Sequence, residues 1–215
     1  MNSPQDIAVQ TRANRYTVPH GTEEYEHLLE IKRSEFIGHI KRVSSQDEAR
    51  DYIESLRKTY HDARHVCSAF VVGADRDVQR SSDDGEPAGT AGKPMLSALQ
   101  GSQVGEISAV VVRYYGGILL GTGGLVRAYG NGVQQALKLL ETERKVERQL
   151  FQVHCDYAQL NWIQILCEQH QIEIYQQDFQ VQITLQLGIS EDQIKPFEQA
   201  LIERSAGTLK LEEMN

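Results

Sequence analysis

The sequence predicts an α+β protein of two domains, each an α/β sandwich in which helices cover a β-sheet. Two continuous runs of small and β-branched residues, Val66–Gly73 and Ile107–Tyr115, are typical of buried strands and indicate a sheet in the first half of the chain. The run Val181–Leu187 alternates strictly between apolar and polar residues, which indicates a second sheet with one solvated face. The highly charged stretch Glu141–Glu147 lies between these regions and is expected to connect the two domains.

The chain is expected to begin with a loose polar arm over residues 1–20, because this segment shows no apolar periodicity. A first domain is expected over residues 21–143, with ordered structure from about Tyr25. Two segments, Tyr25–Ile31 and Glu35–Val43, are expected to pair as strands on either side of a short turn.

Three helices are expected in the first domain. Ser45 and Glu48 fit a capping box, in which the serine accepts from a helical amide and the glutamate reaches back to the capping residue. Pro94 suits the first turn of a short second helix that ends near Gln100. Apolar residues at helical spacing indicate a third helix over the sheet: Leu125, Tyr129, Val133, Ala136, Leu137 and Leu140.

The second domain, residues 144–215, shows the order strand, helix, strand, strand, helix, strand, which is typical of a ferredoxin-like fold. The expected strands are Leu150–Tyr157, Ile172–Asp178, Val181–Leu187 and Thr208–Leu211, and helical segments are indicated near Gln159–His170 and Ser190–Ser205. Pro196 would remove a backbone hydrogen bond inside the second of these helices, so its start is expected nearer Pro196 than Ser190.

Composition restricts the environment and the partners. The net charge is −8, but residues 1–150 are almost neutral and the excess of carboxylates lies in the second domain. Strong non-specific binding of nucleic acid by the whole chain is therefore not expected, whereas a local basic patch in the first half stays open. The three cysteines are an odd number without Cys-x-x-Cys spacing, which argues against disulfides and a thiolate zinc site. With no long apolar run and no signal peptide, we expect a cytoplasmic protein without a membrane anchor.

Glycine is concentrated between Gly85 and Gly132, which hold twelve of the 17 glycines. These glycines lie mainly in two loops, a first one that contains Gly85, Gly89 and Gly92 and a second one over residues 116–124. The second glycine-rich loop joins a buried strand to a helix, so the free amides at the helix start could bind phosphate. It is not a dinucleotide fingerprint, because Val126 stands where the third glycine or alanine belongs. Tight packing of strand against helix, without a ligand, is the alternative.

We take eleven residues as candidates for binding phosphate or nucleic acid, because they combine loop amides, nearby cations and two tyrosines that could stack on bases. They are Lys93, Arg113, Tyr114, Tyr115, Gly116, Gly117, Gly121, Thr122, Gly123, Gly124 and Arg127.

The first glycine-rich loop carries three acids, Asp83, Asp84 and Glu86, which could hold magnesium. They fit a polar turn better, and Lys93, Arg113 and Arg127 could pair with these carboxylates and close the loop against the sheet. Zinc at His61, His65 and Cys67 is conceivable, but the segment lacks the glutamate of a metalloprotease motif. We therefore expect no metal and no cofactor, assign no catalytic residue, and leave Arg64 and His65 as structural or functional candidates.

Two motifs carry a resemblance to a known family. The stretch Ser-Asp-Asp-Gly-Glu-Pro-Ala-Gly-Thr-Ala-Gly-Lys-Pro, residues 82–94, and the stretch Val-Val-Val-Arg-Tyr-Tyr-Gly-Gly-Ile-Leu-Leu-Gly-Thr-Gly-Gly-Leu-Val-Arg-Ala-Tyr, residues 110–129, resemble the signatures of the IMPACT family, most closely its bacterial members. The resemblance implies a first domain with a ribosomal-protein fold that also occurs in elongation factor G. It implies a second domain similar to the last domain of that factor.

The expected function follows from this resemblance together with the loop chemistry. We expect a non-catalytic nucleic-acid-binding or ribosome-associated regulator of translation, whose partner is RNA, the ribosome or a translation-associated protein. An enzyme or sensor for a small phosphorylated metabolite and a protein-interaction module are the alternatives. The oligomeric state is left open.

Overall fold

The computed structural model describes residues 15–214. These residues form two compact units, one of residues 16–145 and one that contains residues 146–214. Each unit combines a sheet with helices, so the predicted α+β class with two domains is confirmed.

The first unit contains a five-stranded antiparallel sheet and three helices. The strands are β1 Arg15–Pro19, β2 Glu24–Ile31, β3 Ser34–Arg42, β4 His65–Val72, β5 Val78–Ser82, β6 Ile107–Tyr114 and β7 Thr142–Val146; the helices are α1 Gln46–Thr59, α2 Gly92–Ser102 and α3 Thr122–Leu137. The order in the five-stranded sheet is β2-β3-β6-β4-β5, and the predicted hairpin forms its first two strands. Strand β5 was not predicted, because it is short and polar.

Helices cover both faces of this sheet. On one face Tyr52 and Leu56 of α1 pack against Val110 and its neighbours. On the other face α2 and α3 pack against the sheet, with Met95 and Tyr129 in the core. Both faces of β4 and β6 are thus buried, which explains why these strands are continuously apolar.

Helices α2 and α3 run parallel. Gly130 of α3 lies against Pro94 near the start of α2, and a groove farther along is lined by Ser97 and Gly101 from α2 and by Gln134 from α3. The two N-termini therefore lie at the same end of the sheet.

The predicted cap of α1 is present with one change. The Ser45 hydroxyl accepts from the Glu48 amide at 3.1 Å. The Glu48 carboxylate, however, accepts from the amide and the hydroxyl of Ser44, both at 2.7 Å, instead of from the Ser45 amide.

Two segments that the sequence leaves irregular are strands. The predicted loose arm is wrong for β1, which pairs with β7, whereas residues 1–14 lie outside the described part. The charged stretch expected as a connection is largely β7. Both segments are ordered because they contact the buried Glu106 carboxylate. This carboxylate accepts from the Tyr16 hydroxyl at 2.7 Å and pairs with Lys145 and Arg42. Polar and charged side chains of these segments therefore have partners inside the fold.

The second unit has the predicted ferredoxin-like order. The elements are β8 Gln149–Cys155, α4 Tyr157–Gln169, β9 Glu173–Phe179, β10 Ile183–Ile189, α5 Glu191–Arg204 and β11 Glu212–Glu213. The four strands lie in the order β11-β8-β10-β9, with every neighbour antiparallel. The last strand comes later than predicted and is very short.

The predicted start of the last helix near Pro196 is wrong. Helix α5 begins at Glu191 and contains Pro196. Burial of Phe197 and Leu201 in the core holds the helix in place, and two acidic residues in its first turn suit the N-terminal end of the helix dipole. These contributions offset the backbone hydrogen bond that proline removes.

The three cysteines, Cys67, Cys155 and Cys167, are buried free thiols. Burial raises the pKa of the Cys67 thiol to about 12, so this group stays protonated and unreactive near neutral pH. Among the described residues, no helix has the length and apolarity needed to cross a membrane.

Candidate functional site

Asp83 caps the N-terminus of α2 from a distance in sequence. Its carboxylate accepts hydrogen bonds from the amides of Gly89 at 2.7 Å, Ala91 at 2.9 Å and Gly92 at 2.8 Å. Burial alone would raise the pKa of Asp83, but these amides and the nearby charge of Lys93 lower it by more, so the pKa lies below its ordinary value. Asp83 thus stabilises the loop through backbone contacts.

Asp84 forms the turn that the sequence suggested. Its φ is +41° and that of Gly85 is +83°, so the chain reverses here. The Asp84 carboxylate accepts from the Val66 amide at 2.7 Å and pairs with Arg57 at 3.0 Å. Both oxygens therefore have partners in the fold.

Glu86 lies inside the domain and pairs with Arg113 from the end of β6. The two side chains are only 3% and 8% exposed, and the Tyr129 hydroxyl donates to the same carboxylate at 2.7 Å. The guanidinium also lies 5.4 Å from the centre of the Phe36 ring. For Arg113 the structure thus shows the alternative that the sequence left open, in which this cation holds the acidic loop against the sheet.

His65 is held by the same loop. Its Nδ1 donates to the carbonyl oxygen of Asp84 at 2.8 Å, and its Nε2 lies 3.9 Å from Glu86. Arg64 is exposed beside it. In the part of the chain that the structure describes, no group of three or more His, Cys, Asp or Glu side chains could hold a metal ion.

Gly116 begins the second glycine-rich loop, and a glycine is needed there for close packing. A Cβ built there would lie 1.9 Å from the carbonyl oxygen of Arg33, so the turn between β2 and β3 rests directly on the loop. The Gly116 amide donates to the Ser34 hydroxyl at 3.1 Å, and Lys32 donates to the Leu119 carbonyl at 3.3 Å. This turn brings two exposed cations, Lys32 and Arg33, beside the loop.

The start of α3 leaves three amides open. Gly121 is the capping residue at φ +73° and offers no side chain, and the first intrahelical bond is donated by Leu125. Among the described residues, the amides of Thr122, Gly123 and Gly124 have no hydrogen-bond acceptor, and the first turn carries no acid. Arg127 donates to the Gly123 carbonyl at 3.2 Å, which keeps its guanidinium near these amides.

The two candidate tyrosines lie on opposite faces of the sheet. Tyr114 packs with α1, and its hydroxyl donates to Asp62 at 2.7 Å, an interaction that raises the pKa of Tyr114 to about 12. Tyr115 is 50% exposed beside the loop and precedes Gly117, which is open to solvent. Only Tyr115 therefore lies where a base could stack on it.

Sequence reasoning assigned no site role to Lys32, Arg33 or Tyr129. The two cations belong to a hairpin turn in which both residues have positive φ, a local conformation that the residue types do not reveal. Tyr129 follows helical spacing and was expected only as a core residue, but its hydroxyl completes the Glu86 contacts. The one sequence signal that could have indicated Lys32 and Arg33 is a pair of basic residues in a short turn between two strands.

The fold and this site define a two-domain α+β protein whose first domain presents an open helix N-terminus beside exposed cations. Residues 32–137 match the family model of the Impact N-terminal domain, and residues 153–208 match the model of a domain of unknown function, DUF1949. With the relatives described next, these matches show that the chain belongs to the IMPACT family.

Close relatives span most of the chain. An IMPACT family member of Haemophilus influenzae is 57% identical over 199 residues, which cover 92% of this chain and 96% of the relative. YigZ of Escherichia coli is 49% identical over 184 residues, 85% of this chain and 90% of YigZ. A crystal structure described as that of a hypothetical protein is 44% identical, with a TM-score of 0.69 over 94% of this chain and 98% of the other. The expected family is therefore confirmed.

Proposed function

We propose that this IMPACT-family protein binds RNA through the first domain and acts as a non-catalytic, ribosome-associated regulator of translation. The observation that carries the proposal is the set of free amides at residues 122–124 with exposed cations around them: Lys32, Arg33 and Arg127 beside the loop, and Lys93 at the start of the neighbouring helix α2. We call this the cationic loop surface. Free amides and exposed cations are the groups that bind phosphate oxygens.

The charge of this surface is available for a ligand. Within residues 15–214, no carboxylate lies within ion-pair distance of Lys32, Arg33 or Arg127, whereas Arg42 and Arg113 have carboxylate partners. Lys93 lies near Asp83, but that carboxylate already accepts three amides. Exposed cations without carboxylate partners attract anions.

The extent of the surface favours a polyanion over a single phosphate. Pro94 lies against Gly130, so Lys93 is level with the third turn of α3, about 12 Å along the helix from Thr122. Lys32 and Arg33 lie beside the loop at Leu119 and Gly116. One phosphate group contacts only one part of such a surface, whereas an RNA backbone can follow it.

Two exposed side chains add apolar area next to the cations. Tyr115 presents its ring beside the loop, and Leu119 is 80% exposed. Stacking of a base on an aromatic ring contributes about 1–3 kcal/mol. This combination suits single-stranded RNA, whose bases can reach a protein side chain.

A small phosphorylated metabolite is the second candidate, supported by the open start of α3. The acids that would place magnesium for such a ligand have other partners, because Asp83 and Asp84 accept backbone amides and Glu86 pairs with Arg113. Thermal stabilisation by magnesium and a nucleotide, without RNA binding, would favour this candidate.

Replacing Lys93 and Arg127 together with alanine is expected to weaken binding of single-stranded RNA and to flatten its salt dependence. The slope of log K against log salt should fall by about 1.4, because each lost phosphate contact removes about 0.7. The measurement is a fluorescence titration of a labelled oligonucleotide from low to high salt.

The matched control is Lys58→Ala with Lys138→Ala, which removes the same charge far from the loop. Lys58 belongs to α1 on the other face of the sheet, and Lys138 follows the far end of α3. Equal slopes for the two folded variants would contradict binding at the cationic loop surface.

A further inference from the structure

The second domain differs from the first in the chemistry that it offers a partner. Residues 149–194 contain six carboxylates and not one lysine or arginine, and they include three of the four strands of the sheet. Binding of a nucleic-acid backbone requires cations that neutralise phosphates. This region therefore has the wrong charge for RNA.

Three exposed apolar side chains lie together at one end of this domain. Tyr157 at the start of α4 is 59% exposed, Phe179 at the end of β9 is 55% exposed, and Val181 in the following turn is 96% exposed. The two rings lie 6.4 Å apart between centroids, and the Tyr157 hydroxyl donates to the Gln180 carbonyl at 3.0 Å. These contacts hold the two rings in place, and we call the three side chains the aromatic tip.

Carboxylates border the aromatic tip. Asp156 precedes Tyr157 as the capping residue of α4, and Asp178 precedes Phe179. Gln180 donates to Asp178 at 2.9 Å, which keeps that carboxylate beside the tip. A shallow cleft next to it is lined by His154, Asp178, Gln180, Val181, Gln182 and Thr184.

We propose that the aromatic tip is a docking site for a protein whose surface offers an apolar patch bordered by lysine or arginine. Clustered exposed apolar side chains mark interaction sites, and aromatic residues are enriched in them. The acidic border selects a cationic partner and excludes RNA and anionic membranes. The site lies in the other domain from the cationic loop surface, so it stands independently of the proposed RNA binding.

The test uses the full chain and a defined probe, an 18-residue amphipathic helical peptide with leucine on one face and lysine along its borders. Val181→Ser is expected to weaken binding of this peptide about tenfold, as for a residue near the centre of an interface. Because Val181 is almost fully exposed, this variant should keep the wild-type fold. Ile202→Ser, at an exposed apolar residue of α5, is the matched control and should bind like wild type.

A charge pair of variants tests the acidic border. Asp178→Asn is expected to weaken binding several-fold, whereas Glu198→Gln, an exposed carboxylate of α5, should leave it unchanged. The affinities are measured by fluorescence anisotropy with labelled peptide.

Three results would overturn the proposal. The first is no peptide binding to wild type, and the second is equal binding by Val181→Ser and Ile202→Ser, which would mean general attraction to an acidic protein. The third is a change in self-association or in RNA affinity in Val181→Ser, seen by sedimentation velocity or oligonucleotide titration, since the tip would then serve a second copy or RNA.

Discussion

Replacing Glu86 with alanine is expected to lower the free energy of unfolding by about 3–5 kcal/mol, the usual cost of leaving a buried charge without its partner. Arg113 would keep its charge in a site that is 8% exposed, and the Tyr129 hydroxyl would lose an acceptor. Arg113→Ala should have a similar effect, because it strands the carboxylate instead. Urea unfolding followed by circular dichroism measures both.

The double variant Glu86→Leu/Arg113→Met separates the charge from the packing. Removing both charges should recover most of the loss, since apolar residues of similar volume often replace a buried ion pair without penalty. The hydrogen bond of Tyr129 would still be missing, which contributes about 1 kcal/mol. A loss below about 1 kcal/mol in either single variant, the range of exposed ion pairs, would contradict a stabilising role for this pair.

Replacing Asp83 with asparagine is expected to lower the free energy of unfolding by about 3 kcal/mol, because three amides lose a charged acceptor and each such bond contributes about 1.5–3 kcal/mol before partial rescue by the asparagine oxygen. Asp75→Asn, at an exposed residue, is the control and should change stability by less than about 0.5 kcal/mol.

The effect of Asp83 also depends on pH. Its pKa is lowered in the folded state, so its stabilisation is complete above the unfolded pKa of about 4 and is lost as pH falls through the lower folded value. The difference between wild type and Asp83→Asn should therefore be constant near neutral pH and shrink below about pH 4. Equal differences at pH 7 and pH 3 would contradict a carboxylate cap.

The buried pair also decides which variants can test RNA binding. Arg113→Ala should destabilise the first domain, so lost binding in that variant would report unfolding. Lys93 and Arg127 are exposed and can be replaced with little effect on the core. Their alanine variants therefore isolate the surface from the fold.

The regular elements could be predicted from sequence because their signals are local. The continuous apolar runs of β4 and β6 and the alternation in β10 each report burial within one segment. Pairing of β1 with β7 could not be predicted, because it depends on contacts such as that of Tyr16 with Glu106, which lie 90 residues apart. The start of α5 was missed because burial of Phe197 outweighs the local effect of Pro196.

The candidate site was predicted in part. Composition located the glycine-rich loop, and chain order placed it between a strand and a helix. The partner of Arg113 could not be predicted, because identifying it requires the strand register and the path of the loop. This loop brings Glu86 against Arg113, which lies 27 residues later in the chain. Lys32 and Arg33 reach the loop only because Gly116 admits their turn at close range.

Co-sedimentation with ribosomes across a series of salt concentrations tests the central claim most directly. We predict that the wild-type protein and the Lys58→Ala/Lys138→Ala control pellet with ribosomes at low salt and are released as salt rises, while folded Lys93→Ala/Arg127→Ala stays in the supernatant. Pelleting of that variant together with wild type, or no association of the wild-type protein at any salt, would contradict a ribosome-associated role for the cationic loop surface.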